Sequence, residues 1–147
     1  MRKDGLMRNM RNYILYNMRK DIIYPDLSYQ ITGILLEVKK NLGRFCKEKQ
    51  YADLFEIFLK KNNLDYKREL PVDFKIEGGI IKGNRIDFII NDKILIEIKA
   101  IPFLTKKDYY QTMRYLTALN LRLGLLVNFR SEYLKPKRVL NSSHFSR

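Results

Sequence analysis

Two short apolar segments joined by a polar pair constrain the fold of this chain more than any other feature. The segments "RIDFII" (85–90) and "KILIEIKA" (93–100) are rich in isoleucine, and the Asn-Asp pair at 91–92 is typical of a two-residue hairpin turn. They are therefore predicted to be antiparallel neighbours in a sheet. Because strand side chains alternate, Glu97 and Lys99 share one face of an otherwise apolar strand. This placement indicates that something on that face requires the charges.

The other elements follow from hydrophobic spacing. Ser28 is predicted to cap a helix that ends at Gly43, and a second helix is predicted over about residues 48–61. The capping-box pattern "TKKD" at 105–108 predicts the start of a third helix. The chain therefore has helices both before and after the predicted hairpin.

Two further segments extend the predicted sheet. "YKRELPVDFKI" (66–76) contains Pro71, which favours an edge strand or a broken strand. "RLGLLVNF" (122–129) is typical of a central strand covered on both faces. The helix between it and residues 94–100 predicts a right-handed crossover, with the two strands parallel. The predicted fold class is α/β, with a mixed β-sheet flanked by α-helices.

Length and apolar content predict one domain, because 147 residues with 46% apolar side chains are enough for a single core. The predicted domain covers residues 24–140, followed by a C-terminal tail at 141–147. Residues 1–23 are predicted to be a basic extension, either disordered or a product of an upstream start, since "MRKD" recurs at Met18.

Charge and cysteine content limit the partners. The net charge is +13, with +4 over residues 1–25 and +7 over 104–147, which predicts an anionic partner, nucleic acid first. A basic surface that serves solubility alone is the alternative. No apolar run is long enough to span a membrane, so no membrane partner is expected. The single cysteine, Cys46, and single histidine, His144, argue against disulfides and zinc and favour a cytoplasmic location. A protein partner stays open, and the oligomeric state is not predicted.

The predicted hairpin brings two acids together. Pairing about a turn at 91–92 would place residue 87 across from residue 96, so Asp87 and Glu97 would meet near one end of the strands. Two close carboxylates repel each other and are costly to bury, and a divalent cation would stabilise them. Oxygen ligands suit Mg²⁺ or Mn²⁺. Lys99 would then lie beside a metal site. The alternative is an ordinary solvent-facing stripe, with Asp87 paired to a nearby cation.

The acids and the lysine resemble a known nuclease core. Asp87 followed by "EIK" at 97–99 resembles the PD-(D/E)xK pattern, with Ile86 in place of its usual proline. In addition, "LGRFCKEKQY" (42–51) resembles the signature of the small bacterial GxxExxY proteins, although Phe45 stands where their glycine usually falls.

A third segment, "YYQTMRYL" (109–116), resembles the Gln-x-x-x-Tyr element of RecB-type nucleases and matches it at Gln111 and Tyr115. Helical spacing places these two residues on one face. The resemblance as a whole covers roughly Tyr24 to Leu140.

The resemblance implies a restriction-endonuclease-like fold and a specific set of site residues. The implied metal ligands are Asp87, Glu97, the backbone carbonyl of Ile98, and Glu48. The implied catalytic residues are Asp87, Glu97, Lys99 and Glu48. The implied substrate-positioning residues are Gln111, Tyr115 and Tyr51.

The function that the resemblance implies is Mg²⁺-dependent (or Mn²⁺-dependent) hydrolysis of phosphodiester bonds, in DNA rather than RNA, with low sequence specificity. The alternative is a catalytically silent, basic nucleic-acid-binding module of the same fold.

Overall fold

The computed structural model describes residues 23–143. The predictions of a basic extension and of the end of the tail concern residues 1–22 and 144–147, which lie outside the described part. By its internal contacts the chain divides into two compact units, residues 1–31 and 32–147. Of the first unit, residues 23–31 are described, and they include the start of the first helix.

The described part contains three α-helices: α1 (Pro25–Leu42), α2 (Glu48–Lys61) and α3 (Lys106–Leu119). Helix α1 begins at Pro25, so the predicted cap at Ser28 is wrong. Proline suits a first turn, where its missing N–H costs nothing, and the Ser28 hydroxyl donates to the Pro25 carbonyl at 3.2 Å. The helix ends at Leu42, and Gly43 follows as the predicted C-terminal stop, because its left-handed φ of +73° suits glycine.

Helices α2 and α3 occupy the predicted segments. The predicted capping box of α3 is present, since the Asp108 carboxylate accepts the backbone N–H of Thr105 at 2.8 Å. At the start of α2, the Gln50 side chain accepts the backbone N–H of Lys47 at 2.9 Å. Both helix starts are therefore fixed by local hydrogen bonds.

Five strands form one mixed sheet in the order β1-β2-β3-β4-β5: β1 (Tyr66–Ile76), β2 (Gly79–Ile90), β3 (Ile94–Lys99), β4 (Leu123–Asn128) and β5 (Lys137–Leu140). Strands β3 and β4 are parallel, as the crossover predicts, and the other pairs are antiparallel. Strand β1 is at an edge, where Pro71 is tolerated, and its register shifts between Val72 and Phe74. Strand β5 lies in a segment where no strand was predicted, because only its Val139 is buried.

The loop between β2 and β3 differs from the prediction. Ile90 pairs with Ile94, so the loop has three residues, 91–93, instead of two. The extra residue moves the register by one position. Phe88 lies opposite Ile96, and the next facing positions are 87 and 97 rather than 87 and 96.

Helices α2 and α3 cover opposite faces of the sheet. The Phe88 ring meets Phe55 of α2 edge-on, with centroids 4.9 Å apart. The adjacent Ile89 belongs to a buried cluster with Tyr115 and Leu116 of α3. Because adjacent strand residues point to opposite faces, β2 and β3 are covered on both sides. This confirms the predicted α/β class.

Within residues 23–143, no helix combines the length and apolar character needed to cross a membrane.

Candidate active site

Asp87 on β2 and Glu97 on β3 lie where the backbone pairing between these strands ends. The paired positions run from Ile90 and Ile94 to Phe88 and Ile96. Beyond them, Asp87 Oδ2 accepts the N–H of Ile98 at 2.7 Å, and Glu97 Oε1 accepts the N–H of Asp87 at 3.2 Å. Each carboxylate therefore reaches the other strand, and the two acids are neighbours.

The pair is electrostatically costly. Glu97 is 5% exposed, and burial together with the Asp87 charge raises the pKa of Glu97 to about 8. Burial also raises the pKa of Asp87, and the Glu48 charge adds to this effect, while the Ile98 N–H and Lys99 oppose it. The site therefore resists two negative charges unless a cation is near.

Lys99 lies two positions after Glu97 and is 22% exposed. Its ammonium is 3.8 Å from Asp108 Oδ1, at the start of α3. The sequence indicated Asp108 as a helix cap alone. A capping spacing is a local signal, so it could not reveal that Asp108 is also the ion-pair partner of Lys99.

Glu48 is the first residue of α2 and is exposed. Its carboxylate accepts the backbone N–H of Ala100 at 3.3 Å. Glu48, Asp87 and Ile98 all line one pocket of about 200 Å³. The three predicted acids are thus near one another.

The predicted metal-ligand set stays a prediction. Among residues 23–143, no three or more His, Cys, Asp or Glu side chains are grouped so that they could hold a metal ion. The carboxylates of Glu48, Asp87 and Glu97 each accept a backbone N–H through one of their two oxygens. The donor chemistry of the Asp87–Glu97 pair still fits a divalent cation, because both groups are hard oxygen ligands with unfavourable mutual repulsion.

Gln111 and Tyr115 share one face of α3, as predicted. Gln111 Nε2 donates to the Tyr115 hydroxyl at 3.1 Å. Tyr115 is 3% exposed, and burial together with the Glu97 charge raises the pKa of its phenol. The phenol is therefore within the field of the acid pair, and the more accessible Gln111 is the better placed of the two to meet a substrate.

Tyr51 is completely buried, and its ring stacks on Phe129 with centroids 4.2 Å apart. Its hydroxyl donates to the Gly43 carbonyl at 2.6 Å and accepts the Cys46 N–H at 3.1 Å. This placement argues against the substrate contact predicted for Tyr51. The residue instead fixes the loop at 43–46, directly ahead of α2 and Glu48.

Sequence reasoning missed several charged residues of the same pocket, among them Arg68 and Glu69 of β1. Arg68 forms ion pairs with Asp53 at 2.8 Å and Glu56 at 3.2 Å. Glu69 has a φ of +53°, which is unusual for a residue inside a strand. Both residues lie in an alternating edge strand, where charged side chains carry no signal of function.

The fold and this group of residues define a class: α/β proteins of restriction-endonuclease-like architecture that carry an Asp…Glu-x-Lys group on adjacent central strands. A family model described as the PD-(D/E)XK nuclease superfamily matches residues 25–139. The chain belongs to the PD-(D/E)XK nuclease superfamily. The more particular resemblance to GxxExxY proteins is compatible with this match.

Among curated proteins, none matches this chain. Among solved structures, the crystal structure of SSO0001 matches with a TM-score of 0.45 and 19% sequence identity over 75% of this chain. The matched region spans 65% of the length of that structure.

Proposed function

We propose that this protein is a nuclease that uses Mg²⁺ or Mn²⁺ to hydrolyse phosphodiester bonds, in DNA rather than RNA and with low sequence specificity. The observation that carries the proposal is the contact of Asp87 and Glu97 across β2 and β3, with Lys99 beside them, in a chain of this superfamily. The net charge of +13 supports a polyanionic substrate.

Asp87 and Glu97 would hold the cation, with the Ile98 carbonyl and Glu48 as further ligands. A divalent cation at this position supplies Lewis-acid stabilisation of the charge that develops on the phosphate oxygens. The raised pKa values of both acids support this assignment, because a cation would offset the repulsion between them.

Lys99 would orient the attacking water and neutralise the phosphate. Its ion pair with Asp108 is 3.8 Å long, which exceeds a direct hydrogen bond, so within residues 23–143 this contact leaves its ammonium donors available for a substrate. Gln111, held by Tyr115, would position the lysine or the substrate. The surrounding lysines and arginines would contact phosphates, which carry no sequence information.

Cleavage assays test this function. Fluorescent single-stranded DNA, nicked duplex DNA and RNA of the same sequence are incubated with Mn²⁺ or Mg²⁺ and the parent, Asp87→Asn or Asp73→Asn. Asp73, an exposed acid of β1, is the matched control. We expect parent and control to cut DNA at similar rates, and Asp87→Asn to be slower by about 100-fold or more. If Asp87→Asn cuts as fast as the parent, the catalytic assignment is wrong.

A second candidate is a nucleic-acid-binding module of the same fold without catalysis. It is favoured by the finding that, among residues 23–143, no three or more His, Cys, Asp or Glu side chains are grouped so that they could hold a metal ion. In the same assay this candidate predicts DNA binding with no cleavage in either metal.

A further inference from the structure

Phe45 is a large apolar side chain in an unusual position. It lies in the loop ahead of α2 and is 77% exposed. The backbone of this loop is fixed on both sides of Phe45, because the buried Tyr51 hydroxyl bonds to Gly43 and Cys46. The Phe45 ring therefore projects into solvent from a loop whose backbone is held by two hydrogen bonds.

Two arginines lie against the Phe45 ring, which is still largely open to solvent. The guanidinium carbon of Arg44 lies 5.2 Å from the ring centroid, and that of Arg130 lies 5.7 Å from it. Arg44 Nε also donates to the Arg130 carbonyl at 3.0 Å. These contacts restrict the ring before any ligand arrives, which lowers the entropy cost of stacking on it.

This group is connected to the candidate active site through Ala100, the residue after Lys99. Arg130 donates from a terminal nitrogen to the Ala100 carbonyl at 3.2 Å, while the Ala100 N–H donates to Glu48 at 3.3 Å. The Arg130 Nε is buried and has no hydrogen-bond partner in the described part of the chain. An exposed aromatic ring and two cations are therefore linked to Glu48, a residue of the acid pocket, through the backbone of Ala100.

We propose that Phe45, with Arg44 and Arg130, is a stacking site for an unpaired nucleobase of a single-stranded substrate. The ring would stack on the base, and the guanidinium groups would contact the adjoining phosphates. Every base has a π-face, so such a site selects unpaired strands without selecting a sequence. A duplex, whose bases are already stacked, gains little from it. This inference rests on the proposed nucleic-acid substrate and specifies its form.

The chain contains no tryptophan, so Phe45→Trp places one reporter in the proposed site. In EDTA, which prevents cleavage, we expect a 15-nucleotide oligothymidylate to quench this tryptophan. The control is Tyr110→Trp, at another exposed aromatic position on α3, 59% exposed in the parent. We expect little quenching there. Equal quenching of both reporters would contradict a specific site.

Affinity provides the second readout. Base stacking on an aromatic side chain is worth about 1–3 kcal/mol, so Phe45→Ala should weaken single-strand binding about tenfold. Binding of a 15-base-pair duplex should change less than about twofold by the same reasoning, and Tyr110→Ala should resemble the parent. The proposal is overturned if Phe45→Ala binds single strands as tightly as the parent, or loses duplex affinity equally. Binding is measured without metal, so it is independent of cleavage. If binding depends on Phe45 but the cleavage assay with Mg²⁺ or Mn²⁺ shows no product, the proposed nuclease activity is rejected and the stacking site is kept.

Discussion

Glu97 is a buried carboxylate beside a second carboxylate, an arrangement that opposes folding when both are charged. Its ordinary pKa of 4.5 rises to about 8 in the folded chain. The folded state therefore retains a proton that the unfolded state loses between these values. The free energy of unfolding therefore falls as the pH rises from 4.5 to about 8. Above about pH 8 the folded state carries the full cost of a charged Glu97.

Glu97→Gln should therefore stabilise the metal-free protein while it abolishes cleavage. The amide oxygen can still accept the Asp87 N–H, but the charge is gone. We expect an increase in Tm of about 3 °C or more near pH 9 and a smaller one near pH 5, measured by circular dichroism in EDTA. An equal or lower Tm near pH 9 would show that the charge of Glu97 is not costly in the folded state.

Tyr51 tests whether a residue of the GxxExxY-like segment is structural. Tyr51→Phe keeps the ring on Phe129 but removes both hydrogen bonds to the 43–46 loop. We expect a loss of about 1–3 kcal/mol in the free energy of unfolding, measured by urea denaturation. The KM for single-stranded DNA, measured well below the Tm, should rise no more than Phe45→Ala raises it, because the hydroxyl acts only through the 43–46 loop. If Tyr51→Phe left the free energy of unfolding unchanged but raised the KM, the predicted substrate contact of Tyr51 would be supported instead.

Among the elements, α3 is positioned by a glycine of the strand beneath it. A side chain added at Gly124 of β4 would place its Cβ 3.0 Å from Thr112 Cγ2 and 3.5 Å from the Leu116 methyl groups. Thr112 would have to shift by a few tenths of an ångström for a Cβ alone, and a larger side chain would press further against α3. The helix carries Asp108 and Gln111, so its spacing bears on the site.

Gly124→Val should lower the free energy of unfolding by about 1–3 kcal/mol through overpacking. Cleavage should also fall, because Asp108, Gln111 and Tyr115 move with α3 relative to Lys99 and Glu97 on the sheet. Gly79→Ala is the matched control, since nothing lies within 4 Å of a Cβ there. Equal stability of the two variants, measured by thermal unfolding, would mean that α3 does not depend on this close approach.

Elements with strong periodic signals were predictable, and features set by distant contacts were not. Helices α2 and α3 and the parallel β3–β4 pair follow from apolar spacing, capping and crossover rules. The three-residue β2–β3 loop could not be distinguished from a two-residue turn. Asn91 and Asp92 take positive φ angles of 52° and 53°, and the same residue types suit both turns.

At the scale of the whole molecule, the carboxylate pair was predictable because a hairpin brings its two strands together. The roles of Glu48 and Tyr51 were harder to predict, because they depend on how α2 meets the ends of β3 and β4. Glu48 bonds to Ala100, and Tyr51 stacks on Phe129. Contacts between residues so far apart in the chain produce no periodic pattern in the sequence that could reveal them.

The central claim is that Asp87 and Glu97 share one divalent cation, and calorimetric titration with Mn²⁺ tests it most directly. We expect about one ion per chain to bind the parent and Asp73→Asn at millimolar or lower concentration, and Asp87→Asn to give no binding heat. Absence of heat from the parent at millimolar Mn²⁺, or equal binding by Asp87→Asn, would contradict the account.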